Sequence, residues 1–130
     1  MASRHFDAVN ALTKRGVLIA GAFQAKGSGT PVVVSNGSEF TVARTNTGLY
    51  TVTLQDNYNE VKSVNLQIVQ ASPTNTVNVT GYSINGGSPG AQLNLLIGTF
   101  ATPGSAVDIT QTGTDCIFFE FFLRNSSVAS

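Results

Sequence analysis

The residues that could carry chemistry in this chain are few: a single histidine, His5, a single cysteine, Cys116, and seven acids. A thiol activated by a histidine would make a nucleophile. That pairing needs the N-terminal segment to deliver His5 to a cysteine in an apolar run, where a thiol normally serves as a small hydrophobe. Metal binding needs His, Cys and carboxylates at ligand spacing, and here His5 has no partner while Asp56, Glu60, Asp108 and Asp115 are dispersed. Two carboxylates flanking a glycosidic bond could be Asp56 with Glu60 or Asp108 with Asp115. Both pairs fall in expected loops or strand ends, where acids form turns and caps. The glycine-rich stretch 86–90 lacks the Lys-Ser/Thr and the helix that a phosphate loop requires. The expectation is therefore no enzyme, no cofactor and no metal.

Glu120 is a different case, because it lies inside Cys116-Ile-Phe-Phe-Glu-Phe-Phe-Leu123. Read at period two, this run puts Ile117, Phe119, Phe121 and Leu123 on one face and Cys116, Phe118, Glu120 and Phe122 on the other. A half-solvated strand alternates apolar with polar, so two apolar faces predict cover on both sides, by the domain's own core and by a second body. A helix is the alternative for a short apolar run. The aromatic content and the turn residues Thr112 to Asp115 favour the strand. Within that run the Glu120 carboxylate needs a partner, for which Arg44, Arg124 or a neighbouring subunit's arginine is available.

The remaining elements supply the frame. Met1 to Arg15 has a helical spacing of Phe6, Val9 and Leu12, a Ser3 cap and a Lys14-Arg15-Gly16 stop, which predicts a short arm over 1–15. It is too short to be stable alone, and Arg4, His5 and Phe6 are candidate contacts to a neighbouring molecule. From Gly16 the pattern becomes β-type: strands over 17–23 and 31–35, then Asn36-Gly37 as a turn, and a hairpin over 39–54 with Gly48 at a positive-φ position. Further strands are expected around Val64 to Ile68, Val77 to Ile84, Leu93 to Ile97 and Val107 to Ile109, with a β-bulge at Gly81 where the alternation slips. Eight or nine short strands make an all-β domain over 16–130, a single β-sandwich of jelly-roll or immunoglobulin-like type with an N-terminal helical arm.

Composition narrows the setting. Only 11% of residues are charged, the formal net charge is zero, and nothing between Lys62 and Asp108 carries a charge. A chain this weakly charged suits an assembly more than a freely diffusing enzyme, and no basic patch calls for nucleic acid. No apolar run approaches the roughly 20 residues of a membrane span. The lone cysteine and an N-terminus without an apolar leader suggest folding in a reducing cytosol.

The stretch Phe40 to Tyr58, with Phe40, Val42, Arg44, Gly48, Tyr50, Val52, Leu54, Asp56 and Tyr58 at fixed spacing, resembles a group of small tailed-bacteriophage virion proteins. The C-terminal Phe118 to Val128, an aromatic strand followed by Arg-Asn-Ser-Ser, resembles the same group. The resemblance implies a capsid decoration (cement) protein, made in the host cytoplasm and carried on the head surface. It further implies the major capsid protein as partner and a homotrimer as assembly state. Phe118, Glu120 and Phe122, with Arg4, His5 and Phe6, are then the candidate subunit or capsid contacts. A trimeric tail-fibre or receptor-binding tip is the alternative; heptads or shaft repeats would favour it, and neither is present.

Overall fold

A computed structural model describes residues 16–35, 40–86 and 90–124. The expected arm over 1–15, the Asn36-Gly37 turn and the Arg-Asn-Ser-Ser tail beyond Arg124 lie outside the described residues. Among the described residues there are eight strands: β1 (Gly16–Gln24), β2 (Val32–Ser35), β3 (Phe40–Asn46), β4 (Leu49–Leu54), β5 (Glu60–Val69), β6 (Asn75–Ser83), β7 (Gln92–Thr99) and β8 (Cys116–Arg124). They form two four-stranded antiparallel sheets, sheet 1 in the order β2-β1-β8-β5 and sheet 2 in the order β3-β4-β7-β6. The all-β sandwich expected from the sequence is thus observed, and the aromatic run is a strand.

Alternation decides what enters the core. From sheet 1 come Ile19 and Phe23 of β1 with Ile117, Phe119, Phe121 and Leu123 of β8; from sheet 2 come Phe40, Tyr50, Val52, Leu54, Leu93, Leu95 and Ile97, all buried. The Phe40 and Phe119 rings meet edge to face across the sandwich with centroids 4.7 Å apart, a favoured aromatic geometry. This contact explains Gly21 between them in β1, since a Cβ there would lie 2.6 Å from Phe40 Cζ and 3.1 Å from Phe119 Cε2. The glycine leaves the space into which the Phe40 ring packs.

The β3–β4 hairpin turns through Gly48 at φ +63°, the left-handed conformation expected of that position. The slip at Gly81 is also real, since the β6–β7 register shifts between Val79 and Gly81. One expected strand is absent: residues 107–109 form no strand. They belong to the long β7–β8 connection, which is tied at separate points by Val107 N–H to Ile97 O (2.9 Å), Gly27 N–H to Ile109 O (2.7 Å) and Gln111 N–H to Ala25 O (2.8 Å). Val107 and Ile109 pack against the core from a loop, so their alternation reported burial without a ladder.

Candidate assembly surface

The two sheets treat water differently on their outer faces. On sheet 2 the cross-strand pairs Thr51–Asn94 and Thr53–Gln92 point outward, and Thr51 Oγ1 donates to Asn94 Oδ1 at 2.7 Å. On sheet 1 the outward row of β8 is Cys116, Phe118, Glu120 and Phe122, and β1 sets Ala22, Ala20 and Leu18 opposite Phe118, Glu120 and Phe122. The central two strands of this face therefore present hydrocarbon at Leu18, Phe118 and half-buried Phe122, interrupted by the Glu120 carboxylate, while Ala22 and Cys116 at one end are buried. Leu18 is 58% exposed and Phe118 45%, and at the β2 edge Val32 and Val34 are exposed as well. Of the eight exposed large hydrophobics among the described residues, five (Leu18, Val32, Val34, Val69 and Phe118) belong to the outer face of sheet 1, which makes it a patch rather than scattered exposure.

A shallow open depression of about 750 Å³ runs across three strands, lined by Ala20 of β1, Phe118 and Glu120 of β8 and the amides Asn65 and Gln67 of β5. Asn65 Nδ2 donates to Glu120 Oε1 at 3.2 Å. The two candidate partners of Glu120 within the chain, Arg44 and Arg124, are engaged by other acids. Arg44 grips Asp108 with both Nε (3.0 Å to Oδ1) and Nη2 (2.7 Å to Oδ2), and Arg124 Nη1 lies 3.6 Å from Glu60 Oε1. Among the described residues, the outward row of β8 is open at Phe118 and Glu120, half-covered at Phe122 and buried at Cys116.

The Arg44–Asp108 pair is a fastening. Asp108 Oδ1 also accepts the Gly48 N–H at 2.9 Å, so one carboxylate ties the β3–β4 turn to the β7–β8 connection. The Arg44 hydrogen bond, followed by that of Gly48, holds the Asp108 carboxyl below its ordinary range. Asp115 caps the neighbouring turn by accepting the Ala71 N–H at 2.9 Å. Each of these acids is thereby occupied in structure, as turn-forming acids are.

Cys116 is buried at the start of β8; burial, and after it the adjacent Asp115, push its thiol pKa up, the reverse of what a nucleophilic thiol needs. His5, Arg4 and Phe6 lie outside the described residues. Among the described residues no three of His, Cys, Asp and Glu converge as a metal site, and no helix is long and apolar enough to cross a membrane.

Phe118, Glu120 and Phe122, singled out from the sequence, do share one face. Leu18, Val32 and Val34 were not singled out, although the same signal was present: Val17 to Phe23 is apolar at both periods, as Cys116 to Leu123 is. Neither a family model, a curated protein nor a solved structure matches the chain.

Proposed function

We propose that this protein is a bacteriophage virion structural component, a capsid decoration or cement protein that sits on the head surface and strengthens contacts between capsomers. The observation that carries the reading is the asymmetry of the sandwich: the outer face of sheet 1 exposes Leu18, Val32, Val34, Val69 and Phe118 beside the amides of β5, whereas that of sheet 2 sets Thr51, Thr53, Asn94 and Gln92 around one half-buried Leu49–Leu96 pair. A face of the first kind lowers free energy when it is covered, and weak charge lets many copies crowd on one surface without mutual repulsion. The resemblance of Phe40 to Tyr58 and of the C-terminal strand to tailed-phage proteins supplies the context. The partner is then the major capsid protein, and the assembly a homotrimer seated where capsomers meet.

The connectivity favours the jelly-roll over the immunoglobulin-like form, because β1 and β8 are neighbours in the middle of one sheet, whereas an immunoglobulin domain divides its first and last strands between sheets. The test is to add the labelled, purified protein to expanded heads assembled from the major capsid protein. Saturable binding at regular surface positions, with increased resistance of the heads to heat, is expected. Label confined to the tail tip would establish the receptor-binding alternative in its place, and absence of binding to either would overturn the proposal.

A further inference from the structure

We infer that the outer face of sheet 1 is covered by other copies of this chain, its apolar half turned toward a closed symmetry axis so that the same residues of each copy meet there. The inference rests on the decoration reading for its setting, and it deepens that reading by naming which surface joins copies to one another.

Size is the first argument. Four strands about 4.8 Å apart and up to roughly 30 Å long give a face of about 600 Å² in plan, and the relief of its side chains raises the accessible area further. A stable contact buries about 800 Å² per partner. The face is therefore of the area that self-association uses.

Charge is the second. The chain has zero formal net charge, so no long-range repulsion opposes the approach of two copies, and no field recruits a charged partner. The ions at the end of the face are already matched within one copy, Arg124 to Glu60. What is left is divided lengthwise: an apolar half on β2, β1 and β8 built from Val32, Val34, Leu18, Phe118 and Phe122, and an amide half on β5 with Asn65 and Gln67. Glu120 marks the seam. Copies related by closed symmetry bring apolar half to apolar half, and the amide N–H groups of Asn65 and Gln67 are the donors that lie beside the carboxylate at its edge. With Glu60 matched to Arg124 and Glu120 accepting the Asn65 N–H, the face carries two carboxylates and no row of alternating charges, so its apolar half is complementary to itself and offers little for a different partner to read.

The experiment uses the full chain of 13.6 kDa in sedimentation equilibrium across a concentration series, with Leu18→Glu, Phe118→Ser and Phe100→Ser alongside. Phe100 is 60% exposed and follows β7 of sheet 2, away from the apolar half on β2, β1 and β8, which makes it the control. Circular dichroism melts establish that each variant is folded. The wild type and Phe100→Ser should sediment as the same small multiple of the monomer, and Leu18→Glu should weaken association by at least about 30-fold, as loss of an interface hot spot does. A monomeric wild type at 100 μM, or association unaffected by both Leu18→Glu and Phe118→Ser while the fold persists, would overturn the inference. Head binding separates the two proposals. Self-association through this face without any binding to heads removes the decoration reading and leaves this inference standing; binding to heads by a monomer, abolished by Leu18→Glu, does the opposite and makes the capsid the occupant.

Discussion

Replacing Gly21 by alanine tests the packing logic of the sandwich with a single carbon. The added Cβ would lie 2.6 Å from Phe40 Cζ and 3.1 Å from Phe119 Cε2, where carbon atoms come to rest at about 3.5 to 4.0 Å. Phe40 is only 3% exposed and is held edge-on by Phe119, so its ring has to shift by about 1 Å into occupied space. Overpacking of this kind costs about 1 to 3 kcal/mol, far above the small gain alanine brings by restricting the unfolded chain. Phe40→Leu, which shortens the obstructing side chain, costs stability by itself through a cavity. Combined with Gly21→Ala it should cost less than the sum of the two, with a coupling of about 1 to 2 kcal/mol. Urea denaturation of the four proteins in the cycle reads this directly, provided the slopes agree. An unchanged midpoint for Gly21→Ala, or strictly additive losses, would mean that the ring does not fill the space above Gly21 and would refute the reasoning.

Truncating the inward row of β8 should behave unlike truncating the outward row: Phe121→Ala, at a fully buried position, should lose about 3 to 5 kcal/mol of stability by urea titration, whereas Phe118→Ser should change the midpoint little. Gly48→Ala forces a side chain into left-handed backbone at φ +63° and against Val107 N and O at 2.7 Å, so a loss of at least about 1 to 2 kcal/mol is expected in the same assay. Because the folded Asp108 carboxyl is held below the ordinary 3.8 by Arg44 and Gly48, its contribution is complete above that value and disappears as pH falls through the folded pKa. Asp108→Asn should therefore lower the thermal midpoint at pH 7, with the gap to wild type closing below about pH 4; a constant gap across that range would show that the carboxylate charge is not involved. Removal of residues 1–15 should move the melting temperature of the sandwich by no more than about 3 °C while weakening head binding, since the buried core is assembled from strands that follow the arm.

Local pattern revealed much of this fold, and distance hid the rest. The alternation in Phe40 to Leu54 and the glycine at 48 announced the hairpin, because both signals sit within the residues that form it. The slip at Gly81 announced the bulge for the same reason. Arg44 and Asp108 are 64 positions apart, and nothing near either one marks the other as its partner. That is why Arg44 looks available to Glu120 in the sequence while its guanidinium is held by Asp108. Val107 and Ile109 alternate and are partly covered, yet their backbone groups bond to separate segments, a distinction hydrophobicity alone does not encode. Phe118 and Phe122 were legible as a second apolar face; the contribution of β1 and β2 to that face depended on strand order, which emerges only when β8 is seen between β1 and β5.

The position of β8 also bears on how the chain reaches its native state. Sheet 2 is built entirely from strands within residues 40–99, so its pairings can form before any of β8 has been synthesised. Sheet 1 has no such option, since β8, one of its two inner strands, follows the other seven in the chain and pairs with residues as far back as Gly16. Closing contacts over such a separation is slow, and until it happens β1 and β5 each keep an unsatisfied edge beside their apolar side chains. A growing or truncated chain lacking Cys116–Arg124 is thus half a sandwich with two open edges, and that interval is the one in which aggregation competes with folding.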